Sequence, residues 1–188
     1  MHYCIKSLIS NRVKRSIKQL LRSAWDSPIY WLKRNSFSTD GFCHIVFVCQ
    51  GNVCRSAFAE FYLRSLVSSS SVHIESCGLD VHYNGPSPDM AVEVSRNYRI
   101  DLNSHLSKSY TECDLAGADL IVPMEYSQYQ QLVALFPEYK KKIHLVKDFS
   151  DWPDRLVCNV YDPFGLDRLA FKKCFEKIIA ALDRLPLS

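Results

Sequence analysis

Cys49 and Arg55 set the chemistry open to this sequence. They close the stretch His44-Ile45-Val46-Phe47-Val48-Cys49-Gln50-Gly51-Asn52-Val53-Cys54-Arg55-Ser56. The apolar, β-branched residues before Cys49 read as a buried strand. Residues from Ser56 to Leu63 read as a helix. Gly51 and Asn52 lie between them, and both tolerate positive φ. A short loop from a strand into a helix N-terminus turns successive backbone N–H groups inward and forms an anion nest, here Gln50, Gly51, Asn52, Val53, Cys54, Arg55 and Ser56. The planar fork of Arg55 matches two phosphoryl oxygens. Cys49 sits at the floor of the nest. Helix N-termini and nearby cations lower a thiol below its free value of about 8.5, so a thiolate is expected there. A thiolate held beneath a phosphate is a nucleophile aimed at phosphorus. The blander alternative, a buried structural cysteine beside a surface arginine, gives Gly51 and Asn52 no purpose.

Displacing an alkoxide or similar leaving group from phosphorus requires a proton donor near the loop. Asp162, in Val160-Tyr161-Asp162-Pro163-Phe164-Gly165, is the candidate. On its own an Asp-Pro pair signals only a turn. Eight cysteines are scattered along the chain with no C-x-x-C pair and no Cys/His zinc spacing. With so apolar a core, a disulfide framework is not expected, and a reducing, cytoplasmic compartment is.

A chain of 188 residues, 47% hydrophobic and 23% charged, suffices for one α/β domain with an appendage. Strands are expected at 44–48, 72–76, 119–123 and 143–146. Helices are expected at 56–68, 89–98, 125–136 and after the loop 148–166. This alternation predicts a single α/β domain over 43–188, a four-stranded parallel sheet with helices on both faces. Ligands of such sheets bind beyond the carboxyl ends of the strands, where Cys49 falls.

Charge is unevenly spread. Residues 1–43 carry eight Lys/Arg against two Asp, a net +6, and the remainder 15 against 18, a net −3. Residues 1–42 form a basic helical extension and linker. Ile5, Ile9, Val13, Ile17, Leu20, Leu21 and Ala24 fall on one stripe, with Lys14, Arg15, Lys18 and Arg22 opposite. The helix is expected to break at Asp26-Ser27-Pro28. Three roles compete for it: packing on the core or a partner subunit, peripheral contact of residues 1–25 with an anionic membrane surface, or an organellar transit peptide. No run of about 18 apolar residues predicts a membrane span, and no apolar leader predicts secretion. The basic charge lies outside the catalytic body, so no nucleic-acid partner is expected.

The string Val-Cys-x-Gly-Asn-x-Cys-Arg-Ser resembles the low-molecular-weight protein tyrosine phosphatase family, and the likeness runs from about His44 to Leu185. Ala57 stands where the family usually has proline. The resemblance implies hydrolysis of phosphotyrosine in proteins by way of a cysteinyl-phosphate, with Cys49 as nucleophile, Arg55 as phosphate clamp and Asp162 as general acid and base. It implies a supporting network of Asn52, Ser56, Ser76 and His105, and Cys54 as a redox partner of the nucleophile. His82, Tyr83 and Phe164 are expected to wall an aromatic ring, although the family's tryptophan near position 82 is absent. Met124-Glu125 and the lysines after Phe136-Pro137-Glu138 look like the bacterial branch tied to membrane tyrosine kinases. No metal and no organic cofactor is implied.

Close alternatives are fewer in their support. Arginine phosphatases of this family carry a threonine where Val53 stands. Arsenate reductases need a close pair of relay cysteines, which Cys77, Cys113 and Cys158 do not supply. A non-catalytic phosphotyrosine reader would not need both Cys49 and Asp162. A nucleotide-binding phosphate loop lacks its Gly-Lys-Ser/Thr.

Overall fold

The computed structural model describes residues 2–36, 41–67 and 72–187, with side chains of the first helix described from residue 17 onward except residue 20. Residues 37–40 of the linker and residues 68–71 lie outside the described residues, as do the side chains of Ile5, Ile9, Val13, Lys14, Arg15 and Leu20.

The elements run α1 (His2–Lys33), β1 (His44–Cys49), α2 (Arg55–Leu66), β2 (His73–Gly78), α3 (Asp89–Ser95), β3 (Leu120–Pro123), α4 (Tyr126–Leu135) and α5 (Arg168–Leu182). The sheet is parallel in the order β2-β1-β3. β1 is central, and its alternation divides the core. Ile45, Phe47 and Cys49 face a cluster with Phe58 of α2 and Phe171 and Phe175 of α5. Val46 and Val48 face a second cluster with Tyr126, Tyr129 and Leu132 of α4 and Tyr30 of α1. The rings of Phe58 and Phe175 stack at 3.9 Å between centroids. With side chains buried on both faces, β1 reads as a continuous apolar run, as a central parallel strand must.

The sheet has three strands, not the expected four. Ile143 makes a single parallel bridge to Ile121, with His144 N–H donating to the Ile121 carbonyl over 3.0 Å. A further rung would need an N–H from residue 123, and Pro123 has none. The Leu145 N–H, which this register turns away from β3, goes to the hydroxyl of Tyr30, 3.1 Å away. The chain then turns into a 3₁₀ helix, Val146–Phe149.

The break expected at Asp26-Ser27-Pro28 does not occur either, and α1 continues through Pro28 to Lys33. Tertiary bonds hold this stretch in place. Ser27 Oγ accepts from Cys158 N–H at 3.1 Å, Asp26 Oδ2 accepts from Asn159 Nδ2 at 2.9 Å, and Tyr30 is completely buried with its hydroxyl donating to Asp148. Burial and the Asp148 charge push the Tyr30 phenol above its ordinary value. The inward face of α1 is therefore Ser23, Ser27 and Tyr30. Ile17, Leu21, Trp25 and Leu32 point outward and are exposed. Among the described residues, the apolar face and the core-facing face of this helix are different.

Candidate active site

β1 delivers Cys49 to the carboxyl edge of the sheet, and α2 begins at Arg55. The loop between them is built around Asn52, which is buried and has φ 51°, the left-handed region that asparagine tolerates. Gly51 does not use its freedom, since its φ is not positive. Every polar group of Asn52 is occupied. Its N–H donates to Cys49 Sγ at 3.2 Å, its Oδ1 accepts from Lys108 N–H at 2.9 Å and its carbonyl meets His105 Nε2 at 2.6 Å. Its Nδ2 donates to Ser56 Oγ at 2.9 Å and to Ser76 Oγ at 2.7 Å.

That last pair fixes the direction of the network. Ser76 accepts from Asn52 and passes its own proton to Glu60 Oε2, 2.5 Å away. Ser56 likewise accepts from Asn52, which frees its proton for Cys49 Sγ at 3.0 Å. Two donors thus point at the sulfur. All four expected members of the network, Asn52, Ser56, Ser76 and His105, are brought together. Burial holds the His105 imidazole below its ordinary value, more than offsetting its bond to Asn52. Glu60 and Lys108 also belong to this network, and the sequence carries no local signal for either. Gly78 supports it sterically: a Cβ there would lie 2.8 Å from the Gln50 carbonyl and 3.0 Å from Asn52 N.

Arg55 is buried at 1% exposure. Its Nη1 donates to the Val160 carbonyl at 3.0 Å and to Glu125, and its Nη2 donates to Asp162 Oδ2 at 2.9 Å. Burial alone would lower the guanidinium, but the charges of Asp162, Cys49 and Glu125 outweigh it and hold the group above its ordinary value. Its Nε is buried with no partner among the described residues. An unpaired buried donor is costly, and a phosphoryl oxygen would satisfy it. Asp162 Oδ1 also accepts from Phe164 N–H at 3.0 Å, an Asx turn that sets the acid's orientation.

Cys54 is the N-cap of α2 and buried, and burial together with the Asp162 and Cys49 charges pushes its thiol up. Cys49, Cys54 and the other described cysteines are all free. His82, Tyr83 and Phe164 line one cleft of about 530 Å³ together with Gly51 and Val53. On the other side of Asp162, α1 forms the rim with Lys18, Gln19 and Arg22, beside Glu125 and Tyr161. The Tyr161 hydroxyl donates to the Gln19 carbonyl and accepts from Ser23 Oγ at 2.5 Å and Asn159 Nδ2 at 3.3 Å. The residue before Asp162 is therefore fastened to the N-terminal helix.

Fold and sequence together define an α/β protein phosphatase. The family model for low molecular weight phosphotyrosine protein phosphatase matches residues 44–186, and the chain belongs to that family as a hydrolase of phosphoric monoesters. A protein-arginine-phosphatase of Bacillus subtilis is 33% identical over 143 residues, covering 75% of this chain and 93% of its own. A putative low molecular weight protein-tyrosine-phosphatase of Klebsiella pneumoniae is 32% identical over 137 residues, covering 73% and 90%. The crystal structure of a low molecular weight protein tyrosine phosphatase from T. tengcongensis superposes with a TM-score of 0.66 at 35% identity, covering 75% of this chain and 95% of that one.

Proposed function

We propose that this phosphatase removes phosphate from tyrosine in proteins through a cysteinyl-phosphate on Cys49. The observation that carries the reading is the pair of hydrogen bonds aimed at Cys49 Sγ, from Ser56 Oγ at 3.0 Å and Asn52 N at 3.2 Å. The thiolate attacks phosphorus and the bond to the tyrosine oxygen breaks. Asp162 gives its proton to the departing phenolate. Water then attacks the phosphocysteine, Asp162 takes that proton, and the S–P bond breaks to restore the thiolate. Arg55 holds the equatorial oxygens throughout. The ring lies in the cleft of His82, Tyr83, Val53 and Phe164.

Turnover of phosphotyrosine, phosphoserine and phosphoarginine peptides side by side tests this reading. Phosphotyrosine is the expected substrate. The similarity to an arginine phosphatase makes phosphoarginine the proper rival, and faster turnover of it would replace the reading.

Cys54 serves as a resolving thiol. Peroxide converts the Cys49 thiolate to a sulfenic acid, and Cys54 condenses with it, releasing water and leaving a disulfide.

No helix among the described residues is long and apolar enough to cross a membrane. The outward stripe of Ile17, Leu21, Trp25 and Leu32 on a segment of net charge +6 supports peripheral contact with an anionic membrane surface. That placement suits a membrane tyrosine kinase as the protein substrate. Flotation with anionic and neutral vesicles tests it. Binding to the anionic vesicles alone, weakened by salt, is expected; no binding at low salt overturns the placement.

A further inference from the structure

The end of the sheet opposite Cys49 carries a cluster that the phosphatase chemistry does not use. Parallel pairing of β1 with β2 sets His44 directly across from His73. Glu75 lies two residues further along β2, so its side chain shares the face of His73. Sequence spacing alone hides this grouping, because the first ligand is a strand away from the other two.

The geometry is already close to that of a metal site. Glu75 Oε1 is 3.2 Å from His44 Nε2 and 3.0 Å from His73 Nε2, and the three atoms lie within 4.8 Å of one another. Tetrahedral zinc with bonds of about 2.0–2.1 Å to nitrogen and oxygen needs ligand atoms roughly 3.3 Å apart. Two imidazoles and one carboxylate are a donor set suited to zinc. The Lys108 ammonium holds the other oxygen, Glu75 Oε2, at 3.2 Å, which leaves Oε1 to the imidazoles and fixes the carboxylate's orientation. The His73 side chain is 61% exposed, so an ion can enter and water can complete the shell.

We propose that His44, His73 and Glu75 form a zinc site that staples the start of β1 to β2. Five residues of strand separate His44 from Cys49, roughly 16 Å, so the ion takes no part in phosphoryl transfer. It stabilises the strand pair that carries Cys49 and Gly78 to the phosphate loop.

The test must separate imidazole ligation from capture by thiols, since Cys43 is an exposed neighbour and Cys49 is nucleophilic. Full-length C43S/C49S protein is titrated with zinc against a chromophoric chelator. Uptake of one equivalent is expected. At zinc tenfold above Kd the melting temperature should rise by about 3–6 °C, because the folded chain alone offers the site. Both effects should vanish in His73→Ala and in Glu75→Gln built on the same background; His73 is exposed enough that its loss leaves the fold intact. With Cys49 restored, His73→Ala should hydrolyse an aryl phosphate at the wild-type rate. No uptake at micromolar zinc, or uptake that persists in both variants, overturns the proposal and leaves the cluster as an ion-pair network around Glu75.

Discussion

Arg55 Nη2 donates to Asp162 Oδ2 over 2.9 Å. The phosphate clamp and the leaving-group acid are in direct contact across the mouth of the site. Each therefore sets the charge environment of the other. Asp162→Ala should slow formation of the phosphoenzyme by about 10²–10⁴-fold for an alkyl or phenyl leaving group, the scale of general acid catalysis. For p-nitrophenolate, which leaves without a proton, the loss should be much smaller. Burst kinetics on the two substrate classes measure the difference, and an equal loss on both would remove Asp162 from the role of acid.

Asn52 is the most connected side chain of the loop, and its replacement should be felt in stability as well as rate. Asn52→Ala leaves Ser56, Ser76 and the Lys108 N–H without their partner and places an alanine at φ 51°. Each unsatisfied buried group costs about 1–3 kcal/mol. The melting temperature should fall by several degrees, and kcat on an aryl phosphate should fall with it as Ser56 loses its direction toward Cys49. A variant with wild-type stability would show that the network is dispensable.

Tyr161 ties the acid-bearing segment to α1 through Gln19 and Ser23. Tyr161→Phe removes the hydroxyl and leaves the ring. The expected effect is a lower kcat on substrates with poor leaving groups, with little change on p-nitrophenyl phosphate, because only the placement of Asp162 is loosened. A uniform fall on both substrates would point to a general loss of structure instead.

His105 supplies a pH dependence with a definite sign. Burial depresses its folded pKa below the ordinary imidazole value. The unfolded chain therefore binds the extra proton more readily. Stability linked to this group is fully present above about 6.5 and is lost as pH falls through that value toward the folded one. Thermal melts from pH 8 to pH 5 should show wild type losing stability faster than His105→Gln. Parallel curves for the two proteins would contradict this.

Much of the site was legible in the sequence because its chemistry is local. Cys49, the loop to Arg55 and the strand before them lie in one short stretch, and hydrophobic run, glycine and asparagine mark it. Asp162 needed only its Asp-Pro-aromatic neighbours and the family likeness. Other features depend on distant pairings. Glu60 enters the network because α2 lies over Ser76 of β2, and Lys108 because its segment bridges to Gly78. The fourth strand failed on a backbone detail: Pro123 cannot donate, and the chain turns into a 3₁₀ helix from Val146, just past the Leu145 N–H that Tyr30 of α1 holds. Tyr30 also explains why α1 runs through Pro28. A proline costs a helix about 3 kcal/mol, and burying that phenol among Tyr126 and Tyr129 while Ser27 and Asp26 bond to 158–159 offsets it. Of the apolar stripe expected on α1, the described members Ile17, Leu21 and Ala24 are exposed, because helical periodicity does not say which face meets the core.

The central claim is the bond between phosphorus and Cys49. Rapid quenching of Asp162→Ala with p-nitrophenyl phosphate, whose leaving group needs no proton, followed by mass mapping, tests it most directly. The expected result is one phosphate on the peptide containing Cys49, formed in the first turnover and absent from Cys49→Ser, which should bind phosphate but not hydrolyse the substrate. Phosphate found on another residue, or full turnover by Cys49→Ser, would contradict the account.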